Sequence, residues 1–149
     1  MNISPTTYQD DFYRWIDRNI ALLKQKQWAD IDIEILIDEL ESMAKRDKRE
    51  LISYFIVLIA CLLAWHYQPQ MRSGSWRGLI CEQRIRIQEQ LEDSPSLKNY
   101  LEMSIDKAYP AVLKIAHQEM GLSISAFPPL CPYSVSELLD EDFYPIIFS

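Results

Sequence analysis

Six consecutive residues, Arg72-Ser73-Gly74-Ser75-Trp76-Arg77, bring together the side chains in this chain best suited to hold a ligand. They follow an aromatic run, Trp65-His66-Tyr67, and a loop, Gln68-Pro69-Gln70-Met71. Backbone N–H groups at the start of a helix attract an anion, and arginine offers a planar fork of donors to phosphate or carboxylate. Arg72, Ser73, Ser75, Trp76 and Arg77 therefore form a candidate site for an anion or a phosphorylated ligand. The same arginines, with Arg84, have a structural alternative: pairing with Glu39, Glu82 or the run Asp140-Glu141-Asp142 to knit helices together.

Other chemistry is missing from the pattern. No Glu-x-x-His, HExxH, glycine-rich phosphate loop or GxSxG motif occurs, and His66 and His117 are too few for a three-histidine centre. His66 closes the apolar run and reads as a half-buried structural residue, while His117 falls on an exposed face. Glu34, Asp38, Glu41 and Lys45 lie opposite an apolar stripe, and this carboxylate row reads as a solvated face rather than a metal site. Cys61, Cys81 and Cys131 contain no CxxC pair, so no zinc ribbon or redox motif is expected. Neither metal, cofactor nor catalytic residue is assigned.

The elements that position these residues centre on Leu51–Trp65, the longest apolar run. A helix apolar all round must be surrounded, by helices or by lipid. Basic residues before the run and Trp65 and Tyr67 after it imitate a membrane span. From Leu51 to Tyr67 it is 17 residues, at the short limit for crossing a bilayer. The flanking helices also carry apolar faces that need a partner, so we read a buried central helix ending before Pro69.

Around it, a first helix is expected from Asp10 or Asp11 to about Lys26, with Phe12, Trp15, Ile16, Ile20, Leu22 and Leu23 on one face. Asn19 falls amid that face and should be tied to a neighbouring helix. A second helix, from Asp32 as N-cap to Ala44 or Lys45, should bury Ile33, Leu36, Ile37, Leu40, Met43 and Ala44. Glu39 flanks this stripe, where a basic partner is expected. Asp47-x-x-Glu50 has the form of a capping box and predicts a break before the central helix. A fourth helix is predicted from Ser75 as N-cap to about Glu92, and a fifth from Ser94-Pro95 to Gly121, kinked or split at Pro110. Ser134-x-x-Glu137 should open a short helix in a proline-rich tail whose apolar end docks on the bundle or on a partner.

Composition agrees with an all-α domain: 149 residues, three glycines, 48% hydrophobic and 25% charged. One domain spanning 1–149 is expected. The net charge of −7 divides as −5, +2 and −4 over 1–43, 44–93 and 94–149, which argues against a nucleic-acid footprint. A start without signal-peptide character predicts a cytoplasmic protein.

Several stretches carry a family resemblance: DFYRWIDRNIALLK (Asp11–Lys24), IDELESM (Ile37–Met43), RELISY (Arg49–Tyr54), WHYQPQMRSGSWRGLICEQRIRI (Trp65–Ile87), LEDSPSL (Leu91–Leu97) and CPYSVSELLDEDF (Cys131–Phe143). Together they resemble the helical proteins, common in cyanobacteria, grouped as domain-of-unknown-function family 29. The resemblance implies a helical fold and a bacterial cytosolic setting, and no activity. Ala44 stands where that family frequently has glycine, which bears on the bend expected after the second helix. The functional expectation is a non-catalytic protein-interaction or scaffold module, with a protein partner or a second copy. The anion site and an enzyme with a dispersed site are the alternatives.

Overall fold

The computed structural model describes residues 5–146, with side chains from residue 8 onward. Among these residues there are six α-helices and no strand, so the fold is all-α as expected. The helices are α1 (Pro5–Asp10), α2 (Phe12–Lys24), α3 (Ile33–Tyr67), α4 (Gly74–Asp93), α5 (Leu101–Met120) and α6 (Val135–Leu139). The chain forms two compact units, Met1–Lys45 and Arg46–Ser149.

In the first unit, Asp11 takes an extended conformation and its carboxylate accepts from the Arg14 N–H at 3.1 Å, which starts α2. The helix stops at Lys24, two residues short of the expected end, and Lys26 turns into positive φ. Its buried seam is Trp15, Asn19 and Leu22, with the Tyr8 ring edge-on to Trp15. Phe12, Ile20 and Leu23 on the other edge of the apolar face are exposed, so the seam is narrower than periodicity suggested. Asn19 is buried, but its amide donates to the Trp15 carbonyl one turn back at 2.8 Å, not to a neighbouring helix. Glu39 accepts from the Tyr8 hydroxyl, so its partner is a phenol where a base was expected.

Asp32 caps α3 as expected, its carboxylate accepting from the Ile35 N–H at 3.2 Å. The predicted break at Asp47-x-x-Glu50 does not occur: α3 is one helix of 35 residues. A capping box needs its first residue out of helical geometry, and from Ala44 to Glu50 nothing forces that. Alanine, lysine, arginine and glutamate are good helix formers, and neither glycine nor proline interrupts them. The Glu50 carboxylate reaches forward to the Tyr54 hydroxyl instead of back to a cap. A second correction concerns burial. Ile33, Ile37, Leu40, Met43 and Ala44, expected in a core, are exposed. Periodicity showed which face is apolar, but cover comes to the side carrying Ile35 and Glu39, where Tyr8 bonds.

The second unit is built on the apolar run. Leu51, Phe55, Leu58, Ile59, Leu62 and Leu63 of α3 are sealed from solvent, and Ile80 and Ile87 of α4, Ala108 and Val112 of α5 and Leu138 of α6 share their core. Burying such side chains stabilises by about 1.5–3 kcal/mol each, which makes this run the dominant apolar contribution. By length and composition α3 could also cross a membrane.

Helix α4 starts two residues earlier than predicted: Ser73, not Ser75, is the N-cap, and its hydroxyl accepts from the Trp76 N–H at 3.3 Å. Its buried face is Ile80, Gln83, Arg84, Ile87 and Leu91, while Leu79, expected inside, is exposed. Pro95 begins a 3-10 turn that runs into α5, and the Ser94 side chain makes no cap bond. Helix α5 passes Pro110 in one piece. Pro110 and Asp106, four residues back, both lie on the exposed side, where water can take the carbonyl that proline leaves free. Gly121 ends α5 at φ 71 with its N–H on the His117 carbonyl, as expected of a C-terminal glycine. In the tail, Ser134 and Glu137 form both bonds of a capping box, and Phe127, Tyr133 and Leu138 are buried in the core.

Candidate functional site

The loop and helix singled out in the sequence do bring arginines together, on aromatic faces. The carbon of the Arg72 guanidinium lies 4.6 Å from the centre of the Trp65 ring, and that of Arg77 lies 5.4 Å from the same ring. Arg77 also sits 5.0 Å from the Tyr144 ring, which packs against Trp65 at 4.8 Å, and Arg84 lies 5.7 Å from Tyr144 on its own approach. Such cation–ring contacts contribute roughly 0.5–2 kcal/mol each. Arg72 is fixed further by its Nε donating to the Trp65 carbonyl at 3.0 Å. Its Nη2 is buried without an acceptor.

Arg84 has a different task. It is 5% exposed, and its guanidinium donates to four backbone carbonyls of the tail: Leu138 and Phe143 at 2.9 Å, Glu137 at 3.3 Å and Glu141 at 3.4 Å. These are carbonyls at and beyond the end of α6, where helical donors run out; the Glu137 carbonyl also accepts from the Asp140 N–H at 3.3 Å. Burial lowers the Arg84 pKa, against which Tyr144 and Asp140 act. Among the described residues none of Arg72, Arg77 and Arg84 forms an ion pair with a carboxylate. Pairing with Glu39, Glu82 or Asp140-Glu141-Asp142 was the wrong form of the structural alternative. Glu82 pairs with Arg86, one turn along α4, at 2.9 Å.

Of the remaining predicted ligands, Ser73 and Ser75 are exposed and Trp76 is half-buried. The Trp76 N–H is taken by the Ser73 cap, which removes one of the helix-end donors expected at this site. Sequence reasoning missed Trp65 and Tyr144 as the surfaces that gather the arginines. The segment Trp65-x-Tyr67 carried half of that signal, and the tail carried the rest far away in the chain.

Elsewhere two thiols and two phenols are moved away from reactivity by burial. Burial pushes the Cys61 thiol up to about 11, with Glu119 adding to it, and also raises Cys131. Tyr109 is raised to about 12 by burial, and its hydroxyl donates to the Pro128 carbonyl at 2.6 Å. Tyr133 is raised for the same reason. A thiol is nucleophilic as its thiolate, so neither half-buried cysteine is activated. Cys131 lines an open groove of about 460 Å³ with Glu102, Asp106 and Ser134. His66 is half-buried with Nδ1 3.4 Å from the Tyr133 hydroxyl, as its place in the sequence suggested. His117, expected outside, is also half-buried, with Nδ1 2.6 Å from the Leu122 carbonyl. Among the described residues no three His, Cys, Asp or Glu side chains gather as metal ligands.

The family model described as Domain of unknown function DUF29 matches residues 7–144, nearly the whole chain. The chain belongs to the DUF29 family. No curated protein and no solved structure matches it. In this DUF29 protein the long resembling segment Trp65–Ile87 holds Trp65, Arg77 and Arg84, which meet Tyr144 in the tail, and Arg72, which lies on Trp65.

The other feature of this DUF29 protein lies in the first unit. Ile33 is 56% exposed, Ile37 48%, Leu40 57% and Met43 53%. Their spacing of three and four places them along one side of α3.

Proposed function

We propose that this protein is a non-catalytic interaction module, and that the first part of α3 is the surface it offers to a partner. One observation carries the reading: four large apolar side chains, Ile33, Ile37, Leu40 and Met43, stand about half exposed on a single helix face. Scattered exposed apolar residues are ordinary, whereas a contiguous row marks a place where another surface packs. The chemistry elsewhere supports this, since the shifted thiols and phenols are moved away from reactivity at neutral pH. The C-terminal apolar patch, Phe143–Phe148, was another expected docking place. Its last two residues lie outside the described part, and within it Phe143 and Tyr144 are partly buried in the core.

The test compares the whole chain with its Leu40→Asp and Ile37→Asp variants, purified from the native cell with their associated proteins. Both variants should melt within about 0.5 kcal/mol of the parent, as exposed substitutions do, and both should lose the same partner. A partner retained by both variants refutes the surface.

A second reading rests on Arg72 and Arg77. Two guanidinium groups on one indole, with no carboxylate paired to either among the described residues, favour an anion such as phosphate at that point. Phosphate or sulfate should then raise the melting temperature over chloride at equal ionic strength, by binding only the folded state. Arg72→Ala should abolish the increment. An equal shift in the variant removes this reading.

A further inference from the structure

The interaction face has a rim, and the rim says what covers it. From Ile33 to Ala44 the helix carries Glu34, Asp38, Glu39 and Glu41 and no lysine or arginine. Glu39 is turned inward to Tyr8. Glu34, Asp38 and Glu41 are exposed, and among the described residues no hydrogen bond or ion pair holds them. At 100° per residue, Glu41 and Glu34 lie about 70–90° round the helix from the line of Ile33, Ile37, Leu40 and Ala44, on the flank away from Met43, with Lys45 and Asp38 farther round on that flank. The line is about 16 Å long, or three turns. Three carboxylates against the one ammonium of Lys45 leave this flank acidic, and an acidic flank beside an apolar row favours a partner of the opposite sign.

We propose that the occupant of this face is a basic amphipathic helix of a partner protein, with apolar residues at i, i+3 or i+4 and i+7 and lysine or arginine beside them. This rests on the interaction reading above. Apolar side chains spaced three and four apart form ridges that a second helix can interleave, the usual helix-on-helix contact. A second copy of this chain fits less well, because pairing the face with itself brings like carboxylates together. An anionic lipid surface is repelled for the same reason; helices that lie on membranes carry basic polar faces. The basic helix satisfies both parts of the surface at once: it covers Ile37 and Leu40 and neutralises Glu34 and Glu41.

The experiment uses the full chain and three labelled synthetic peptides with one identical apolar face and with lysine, glutamine or glutamate at the flanking positions. Fluorescence anisotropy measures each Kd at low and high salt. The lysine peptide is expected to bind about tenfold more tightly than the glutamine peptide, as three rim pairs of modest strength imply, and the glutamate peptide not measurably. High salt should narrow the gap. Leu40→Asp should abolish binding, with Leu40→Gln as a milder second variant and circular dichroism confirming the fold of both. A triple variant, Glu34→Lys, Asp38→Lys and Glu41→Lys, should transfer the preference to the glutamate peptide. Equal binding of all three peptides, lost in Leu40→Asp, overturns the basic partner and leaves the interaction face standing. A dimer in sedimentation that Leu40→Asp dissociates assigns the face to a second copy and also overturns it. Absence of both binding and dimer defeats the interaction reading itself.

Discussion

Replacing Arg84 with alanine removes one side chain and takes a donor away from four carbonyls, of which, among the described residues, only Glu137 keeps another, the Asp140 N–H. Two of its bonds, to Leu138 and Phe143, are 2.9 Å long and carry most of the interaction, while those to Glu137 and Glu141 at 3.3 and 3.4 Å are weak. A hydrogen bond from a charged donor contributes roughly 1.5–3 kcal/mol, so the two short ones together lose about 3–6 kcal/mol. Relief of a buried guanidinium offsets part of that, and rehydration of carbonyls near the surface offsets more. We expect a net loss of about 3 kcal/mol, which for a unit near 100 residues lowers the melting temperature by about 12–24 °C. Arg84→Lys, with a compact ammonium instead of a fork, should recover less than half. Urea melts followed by circular dichroism give the stability. A glutamate-specific protease, cutting at Glu137 or Glu141, reports whether the tail is docked. Because arginine stays protonated at every usable pH, the loss should not vary between pH 5 and 9. A loss below about 1 kcal/mol with the tail still protected would show that apolar packing of Leu138 and Tyr144 holds it without the guanidinium.

Four further outcomes follow from the geometry. Gly121→Ala should cost about 1 kcal/mol in a thermal melt, since φ is 71 and no atom lies within 4 Å of the added methyl; a neutral effect would mean the turn relaxes at no cost. Tyr109→Phe should cost about 1 kcal/mol by removing the donor to the Pro128 carbonyl, and an unchanged melt would show that carbonyl rehydrated. Cys61 and Tyr109 are held neutral by burial, so their contribution is full below their ordinary values of 9.0 and 10.0 and is lost as pH rises through about 11 and about 12. Stability should therefore fall from pH 9 upward, less steeply in Cys61→Ala, and exposed Cys81 should be alkylated well before Cys61 or Cys131. Equal alkylation rates would contradict the burial.

Local signals in the sequence were read well where one residue type has one physical use. Gly121 at a helix end, Asp32 before an apolar stripe and the Ser134–Glu137 box each satisfied backbone groups within a few residues. The break at Asp47 failed because the box pattern is also a stretch of good helix formers, and helical propagation prevailed. Burial of the Ile33–Ala44 face could not be read, since an apolar stripe states a need for cover and not its source. The role of Arg84 left no trace either. Its partners are backbone carbonyls, which every residue has, so no complementary side chain pointed to it across more than fifty positions. Conversely, that clamp does not depend on which side chains the tail carries at those positions.

The continuous helix α3 has a kinetic side. Its later turns, Leu51 to Ala64, hold eight buried residues, whereas the turns from Ile33 to Asp47 hold none. Amides opened by fraying and amides opened only by breaking the core exchange on different time scales. One helix thus carries two lifetimes, and the change from one to the other falls in the charged residues from Lys45 to Glu50, where the sequence had been expected to end a helix.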